Sequence, residues 1–320
     1  MEHFIGIDLG GTEIKIGIIK ADGKIIIKDS FPTDMSKSAD DILAYMADCA
    51  RQVVAKAGLD LKKDVKGLGI GSPGILDPEK GITKIVVNIP QLNGGVEVAA
   101  KLTGHLGIPV YLDNDVNAMA LGEFYFGAAK GYTDVVALTL GTGVGGGLIF
   151  DGKLYRGACF AAGEIGHISI DPDGMYCPCG NYGCLEKYVG RDGIIQRFKM
   201  AQMKGIETNI DQFLDKGEIT PRAIAMAAQA GDALSLEVLA DTGRILGNVM
   251  ASLTNVLNPQ VFVIGGGISN AGDLILEPAR RELKRRAYTV PAAVVKVVRA
   301  ALGNDAGIVG SASLAVAKLN

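Results

Sequence analysis

IDLGGTEIKIGIIKADGKI (7–25) and LTLGTGVGGGLIFDGKL (138–154) decide the fold. Each is an apolar run that ends in glycines, passes into a second strand-like run, turns at Asp-Gly and returns. Asp8 falls opposite Thr139 and Gly10 opposite Gly141. The layout repeats while few residues are identical, which predicts an internal duplication: two similar α/β lobes with a cleft between them.

The segments around each copy agree. A helix is predicted over 38–57, with Ser38 and Asp41 as its capping pair. VKGLGIGSPG (65–74) reads as a buried strand ending in a turn, 95–107 as a helix, 109–115 as a strand and 116–129 as a helix. Beyond the second copy, 184–258 is mostly helical in pattern. It is followed by a strand at 260–267, a helix around 273–287, a strand near 293–298 and a last helix over 305–319. The predicted lobes are 1–117 and 118–304, with the terminal helix (305–320) packing back on the first.

Composition excludes several classes. A chain of 320 residues can bury a large core and needs neither disulfides nor a metal for general stability. The net charge of −3, with both signs dispersed, lacks the basic face that nucleic acid binding requires. Asp8 interrupts what would be the apolar core of a signal peptide. The long uncharged stretch 245–272 is broken by Asn248, Asn255, Asn258, Pro259 and a glycine triplet, so no membrane span is expected. The cytoplasm is the expected compartment, where thiols stay reduced.

Three glycine-rich turns follow apolar strands: DLGGTEIK (8–15), LGTGVGGG (140–147) and VIGGGIS (263–269). Any one of them could be only a tight turn. Together they supply backbone N–H groups and missing side chains, the means of cradling a phosphate. GTGVGG (141–146) matches the dinucleotide pattern G-x-G-x-x-G, but a hairpin rather than a helix follows it, so that reading fails. Strand–turn–strand phosphate loops in duplicated lobes resemble the sugar kinase, actin and heat-shock ATPase superfamily, which has a ribonuclease H-like fold. The resemblance implies ATP in the cleft. Asp8, Gly10, Gly11, Thr12 and Lys15 would then form the first phosphate segment, Gly141, Thr142 and Gly143 the second, and Gly265, Gly266 and Gly267 the adenosine segment.

CPCGNYGCLE (177–186) holds three of the five cysteines. A C-x-C pair is too tight for an unstrained mutual disulfide, whereas thiolates in a glycine-punctuated loop can converge on zinc. His167 is the nearest histidine, so Cys177, Cys179, Cys184 and His167 make a Cys₃His set; redox or coincidental cysteines are the alternative. Cys49 and Cys159 fall outside this spacing and read as packing residues.

EIGHISI followed by CPCGNYGCLE, with the glycine segments in order, closely resembles the ROK family (repressor, open reading frame, kinase). The resemblance implies a structural zinc on His167, Cys177, Cys179 and Cys184. It also implies sugar ligands on either side of that loop, at Glu164, His167 and Glu186. YLDNDVNAMALGE (111–123) ends a strand and starts a helix, and one of Asp113, Asn114 and Asp115 is expected to be the N-cap. By the same resemblance Asn114 orients sugar hydroxyls and Asp115 is the catalytic base, with Gly74 and Asn88 lining the pocket. Mg²⁺ would bridge the phosphates, with Asp8 as its water-mediated partner.

The expected function is an ATP-dependent hexokinase acting on the 6-hydroxyl, glucose first, in a homodimer. Many family glucokinases carry Gly-Trp where this chain reads NIPQLNGGVEV (88–98), and this chain has no Trp. N-acetylmannosamine, N-acetylglucosamine, mannose and fructose are therefore alternative substrates. A sugar-responsive transcriptional repressor is the alternative of another class; family repressors carry a helix-turn-helix before the first phosphate strand, which here begins at Phe4.

Overall fold

The first glycine turn separates β1 (His3–Leu9) from β2 (Glu13–Lys20), and Asp22-Gly23 turns β2 into β3 (Ile25–Pro32). The computed structural model describes residues 2–86 and 88–319. Next come α1 (Ala39–Lys56), β4 (Val65–Ser72), a hairpin of β5 (Ile75–Asp77) and β6 (Ile82–Ile85), α2 (Val98–Leu106), β7 (Val110–Asn114) and α3 (Asp115–Phe126). Ser38 caps α1, accepting from Asp41 N at 3.2 Å. The β5–β6 hairpin falls in the stretch between the turn ending at Gly74 and the helix expected from 95, to which the sequence pattern assigned no element.

The second copy opens with β8 (Val135–Leu140), β9 (Val144–Phe150) and β10 (Lys153–Tyr155). The helical stretch resolves into α4 (Glu186–Val189), α5 (Arg191–Met203), α6 (Pro221–Gln229) and α7 (Ala233–Leu257). Then follow β11 (Val261–Gly265), α8 (Asp273–Arg286), α9 (Thr289–Val294), β12 (Lys296–Arg299) and α10 (Ala306–Leu319).

Strand order is β3-β2-β1-β4-β7 in one sheet and β10-β9-β8-β11-β12 in the other. In the first, β2 is antiparallel to β1 and β3, while β4 is parallel to β1 and β7. In the second, β9–β10 is antiparallel and β8–β11–β12 parallel. Replacing β1 by β8, β2 by β9, β3 by β10, β4 by β11 and β7 by β12 maps one order onto the other. The sequence repeat is thus a repeat of topology, and of the parallel strands β1, β8 and β11 run into the three glycine turns while β7 runs directly into α3.

By contacts the chain forms two compact units: Met1–Tyr132 with Gly147–Ala162 and Ala301–Asn320, and Thr133–Gly146 with Gly163–Ala300. The first buries Ile5, Ile7, Leu68, Ile70 and Leu112 of its sheet against Leu43, Met46 and Val53 of α1. On the opposite face α10 lies so close that a Cβ on Gly69 would overlap Ser311 O, and Ser311 Oγ accepts from Gly71 N at 2.9 Å. The boundary expected at 117 falls inside α3. That helix lies in the first unit because Gly122 packs against Gly310 of α10 with no space for a Cβ. Among the described residues no single helix is long and apolar enough to cross a membrane.

Candidate active site

In the first unit the predicted residues gather where β1, β4 and β7 end. Asp8 pairs with Lys15 across β1–β2 and with Gly71 across β1–β4. Its carboxylate lies against the first turn of α10, where a Cβ on Gly307 would overlap it. Burial pushes the Asp8 carboxyl above its ordinary pKa; Lys15 pulls the other way and Glu13 adds to the rise. Lys15 itself stands 3.6 Å from Glu13, half-exposed. The first turn is pinned by Thr33, which donates from Oγ1 to Gly10 O at 2.8 Å and from its N to Thr12 O at 3.1 Å. Gly11 packs on the backbone and Cβ of Asn88, so the turn and the exposed Asn88 are neighbours.

The β7–α3 junction separates three polar residues by task. Asn114 is the N-cap: its Oδ1 accepts from Val116 N at 2.8 Å and Asn117 N at 3.3 Å. Its amide also donates to Gly74 O at 3.2 Å, which brings the Ser-Pro-Gly turn to the junction. Asp113 is buried. Its Oδ1 accepts from Asn114 N and Asn117 Nδ2, and its Oδ2 accepts from Arg156 Nε at 2.7 Å. Asp115 is the half-buried first residue of α3, its Oδ1 taking Val116 N at 2.9 Å. Arg156 was not singled out in the sequence; it lies 43 residues from Asp113, and no local spacing marks it.

In the second unit the other two glycine turns touch. Gly266, at φ +82°, lies so close to Leu140 that a Cβ would overlap that residue's backbone. Beside them is a cavity of about 560 Å³ lined by Gly141, Arg191, Arg222, Ala225, Gly267 and Asn270, among others. That size is within the roughly 300–1,000 Å³ of small-molecule sites. Gly141 and Gly267 were expected here, whereas Thr220, Arg222 and Ala225, at and within the start of α6, carry no motif that announces them. The turn of Gly141, Thr142 and Gly143 is closed by Gly141 N donating to Gly143 O at 2.9 Å, and Arg191 N donates to Gly141 O at 3.0 Å. Glu186, the first residue of α4, accepts from Val144 N at 3.1 Å through Oε2.

The Cys₃His set is brought together. One ligand atom from each of His167, Cys177, Cys179 and Cys184 lies within 4.8 Å of all the others. Cys179 Sγ and Cys184 Sγ are 3.7 Å apart, and Cys177 Sγ is 3.8 Å from His167 Nδ1. Bonds of ~2.3 Å to a central ion place tetrahedral sulfurs ~3.8 Å apart, so the four residues can hold a zinc-sized ion. Burial pushes the Cys184 thiol up to about 12, while the backbone at Asn181 and the Cys177 thiol pull Cys179 down. With Nδ1 directed at the cysteines, His167 Nε2 faces Glu164 Oε2 at 3.9 Å. Cys49 is buried on α1, as expected of a packing residue; Cys159 is exposed, because it sits in the loop after Gly157 rather than against a sheet. Arg197 of α5 steadies the end of α4, donating to Tyr188 O at 3.1 Å and to Val238 O of α7 at 3.4 Å, and burial lowers its pKa to about 10.

Known proteins resemble the chain over nearly its whole length. A family model described as the ROK family matches residues 4–318. A glucokinase of Halalkalibacterium halodurans is 36% identical over 96% of this chain and 93% of its own length. A crystal structure of a ROK family glucokinase from Streptomyces griseus in complex with glucose and AMPPNP superposes with a TM-score of 0.79 at 33% identity, covering 98% of each chain. A ROK family transcriptional regulator homologous to the Escherichia coli MLC protein superposes with a TM-score of 0.88 at 28% identity, covering 99% of this chain and 78% of the regulator.

Proposed function

The chain belongs to the ROK family of actin-like ATPase fold, and on that premise we propose that it is an ATP-dependent hexokinase that phosphorylates the 6-hydroxyl of a hexose, glucose first. The observation that carries the reading is the division of tasks at the β7–α3 junction. Arg156 holds Asp113 and Asn114 caps the helix, so Asp115 is the carboxylate of the three assigned to chemistry.

Asp115 accepts the proton of the 6-hydroxyl as that oxygen bonds to the γ-phosphorus. The bond to the β–γ bridging oxygen breaks, ADP leaves, and the proton passes from Asp115 to solvent. Asn114 gives one amide hydrogen to Gly74 O, and its other can meet a sugar hydroxyl. Glu164, His167 through Nε2, and Glu186 supply further sugar contacts, with Gly74 and Asn88 as lining. The three glycine turns, with Thr12, Thr142 and Lys15, hold the nucleotide, and its base enters the cavity beside α6. Mg²⁺ neutralises the phosphates when bound. Asp8 would hold it through water, and a cation there offsets the burial of that carboxylate. Zinc on His167, Cys177, Cys179 and Cys184 would clip together the segments that carry Glu164 and Glu186, taking no part in the reaction. The protein is read as a cytoplasmic homodimer.

A coupled ADP-release assay over glucose, mannose, fructose, N-acetylglucosamine and N-acetylmannosamine tests this. Turnover of one or more supports it, and the preferred sugar names the activity; turnover of none by folded, metal-loaded protein overturns it. A second reading, a sugar-responsive regulator, draws on the TM-score of 0.88 to the ROK regulator. Sequence identity is 28% to that regulator, against 33% to the glucokinase of known structure and 36% to the Halalkalibacterium glucokinase, which supports the kinase.

A further inference from the structure

The turn between β8 and β9 and the carboxylate of Glu186 were assigned above to different substrates, but they are in contact. Glu186 Oε2 accepts from Val144 N at 3.1 Å. At Gly143 there is no room for a Cβ, because the same Oε2 occupies the place it would take. Apart from the flanking residues of the chain, the three atoms nearest that position all belong to Glu186. The turn that would carry nucleotide phosphate is thus the surface on which the sugar-facing carboxylate rests.

We propose that Gly143 is a positioning residue for the sugar, holding Glu186 in place through the space its missing side chain leaves and the N–H that follows it. The inference rests on the reading of Glu186 as a sugar ligand. A carboxylate has two oxygens. Oε2 stays on Val144 N while Oε1 accepts a sugar hydroxyl, so one side chain spans the two binding regions. Fixing a carboxylate that would otherwise sample several rotamers lowers the entropy lost when sugar binds. The same contact has a reciprocal consequence: sugar that pulls on Glu186 pulls on the turn, so sugar and nucleotide must alter each other's affinity by one shared factor.

The first test measures glucose affinity by calorimetry without nucleotide, in wild type and Gly143→Ala. The added methyl meets the far end of a flexible side chain rather than backbone, so Glu186 can swing away and the protein can fold. The expected result is a loss of glucose affinity of about tenfold or more, although Gly143 belongs to a nucleotide turn. Unchanged glucose affinity, with or without a fall in AMPPNP affinity, overturns the proposal. The conservative rescue is Gly143→Ala combined with Glu186→Asp, which withdraws the carboxylate by about 1.5 Å and makes room for the methyl. The double variant should bind glucose better than Gly143→Ala alone, a non-additivity that mere damage to the turn would not produce. Should Gly143→Ala not fold, Glu186→Ala carries the test. The ratio of AMPPNP affinities with and without saturating glucose should move towards one, and an unchanged ratio overturns the proposal. Wild-type protein that binds none of the sugars marks failure of the sugar-kinase reading instead.

Discussion

Arg156 donates from Nε to Oδ2 of Asp113 at 2.7 Å, and the carboxylate it holds is buried. Asp113 is therefore a structural residue standing two positions before the residue assigned as base. Replacing Asp115 by Asn keeps its size and removes its ability to take a proton, which costs ~10²–10⁴ in kcat. The variant should remain folded and able to bind AMPPNP, with sugar affinity little changed. Asp113→Asn should do the reverse. Its new amide hydrogens face donors, so stability falls by roughly 1–3 kcal/mol while the folded fraction keeps most of its kcat. Melting curves and initial rates on both variants check this; an inactive, fully stable Asp113→Asn would move the base to position 113.

Asp8 opposes stability to function. Burial raises its pKa, so the folded state holds its proton more tightly than the unfolded chain does. The sign follows: above both pKa values the charged group destabilises the fold, and that cost is relieved as pH falls through the raised, folded value. Asp8→Asn should therefore melt at or above the wild-type temperature at neutral pH, with most of the difference gone in acid, while kcat falls at least tenfold. A lower melting temperature at neutral pH would show that the first turn of α10 depends on the charge.

Much of this was legible in the sequence, and the reason is locality. The two glycine-turn hairpins, the CPCGNYGC loop with His167 upstream, and the Asp113–Asp115 junction each lie within a short segment, where spacing fixes geometry. What escaped was long in range. Arg156 reaches Asp113 from the far side of the repeat. Glu123, fully buried in α3, accepts from Ala128 N and also from Ala301 N and Leu302 N, 178 and 179 residues away. The α6 wall of the cavity has ordinary amphipathic composition, and nothing in it distinguishes a cavity wall from a solvated face. The β5–β6 hairpin was hidden because Pro78 and Gly81 make its turn look like a loop.

Metal content is the next expectation. Purified protein should hold about one zinc per chain, since three thiolates and one imidazole close a tetrahedron. Cys179→Ser should lose it. Glucose affinity should fall as well, because Leu185 N bonds to Ile168 O and the loop between them sets where Glu164 and Glu186 stand. Elemental analysis of wild type and variant, paired with calorimetry on glucose, reads both. Full activity in metal-free protein would remove the clip from the site.

The nucleotide cavity gives the last expectation. Ala225 lies on α6, half-buried, and lines the cavity together with Gly141 and Gly267. If the adenosine enters there, a phenyl ring at 225 takes its space, while the sugar-facing residues Glu164, His167 and Glu186 are left as they are. Ala225→Phe should raise the KM for ATP at least tenfold, a loss of about 1.4 kcal/mol or more in binding. The KM for sugar and the melting temperature should hardly move, because the ring enters space that is already open. The pairing matters: a rise in both KM values would point to general distortion, and an unmoved ATP KM in a folded variant would place the base elsewhere. Arg222→Ala, at an exposed position on the same wall, is the milder companion. It leaves the cavity open and removes a cation, so its effect on ATP should shrink as salt is added, whereas that of Ala225→Phe should not.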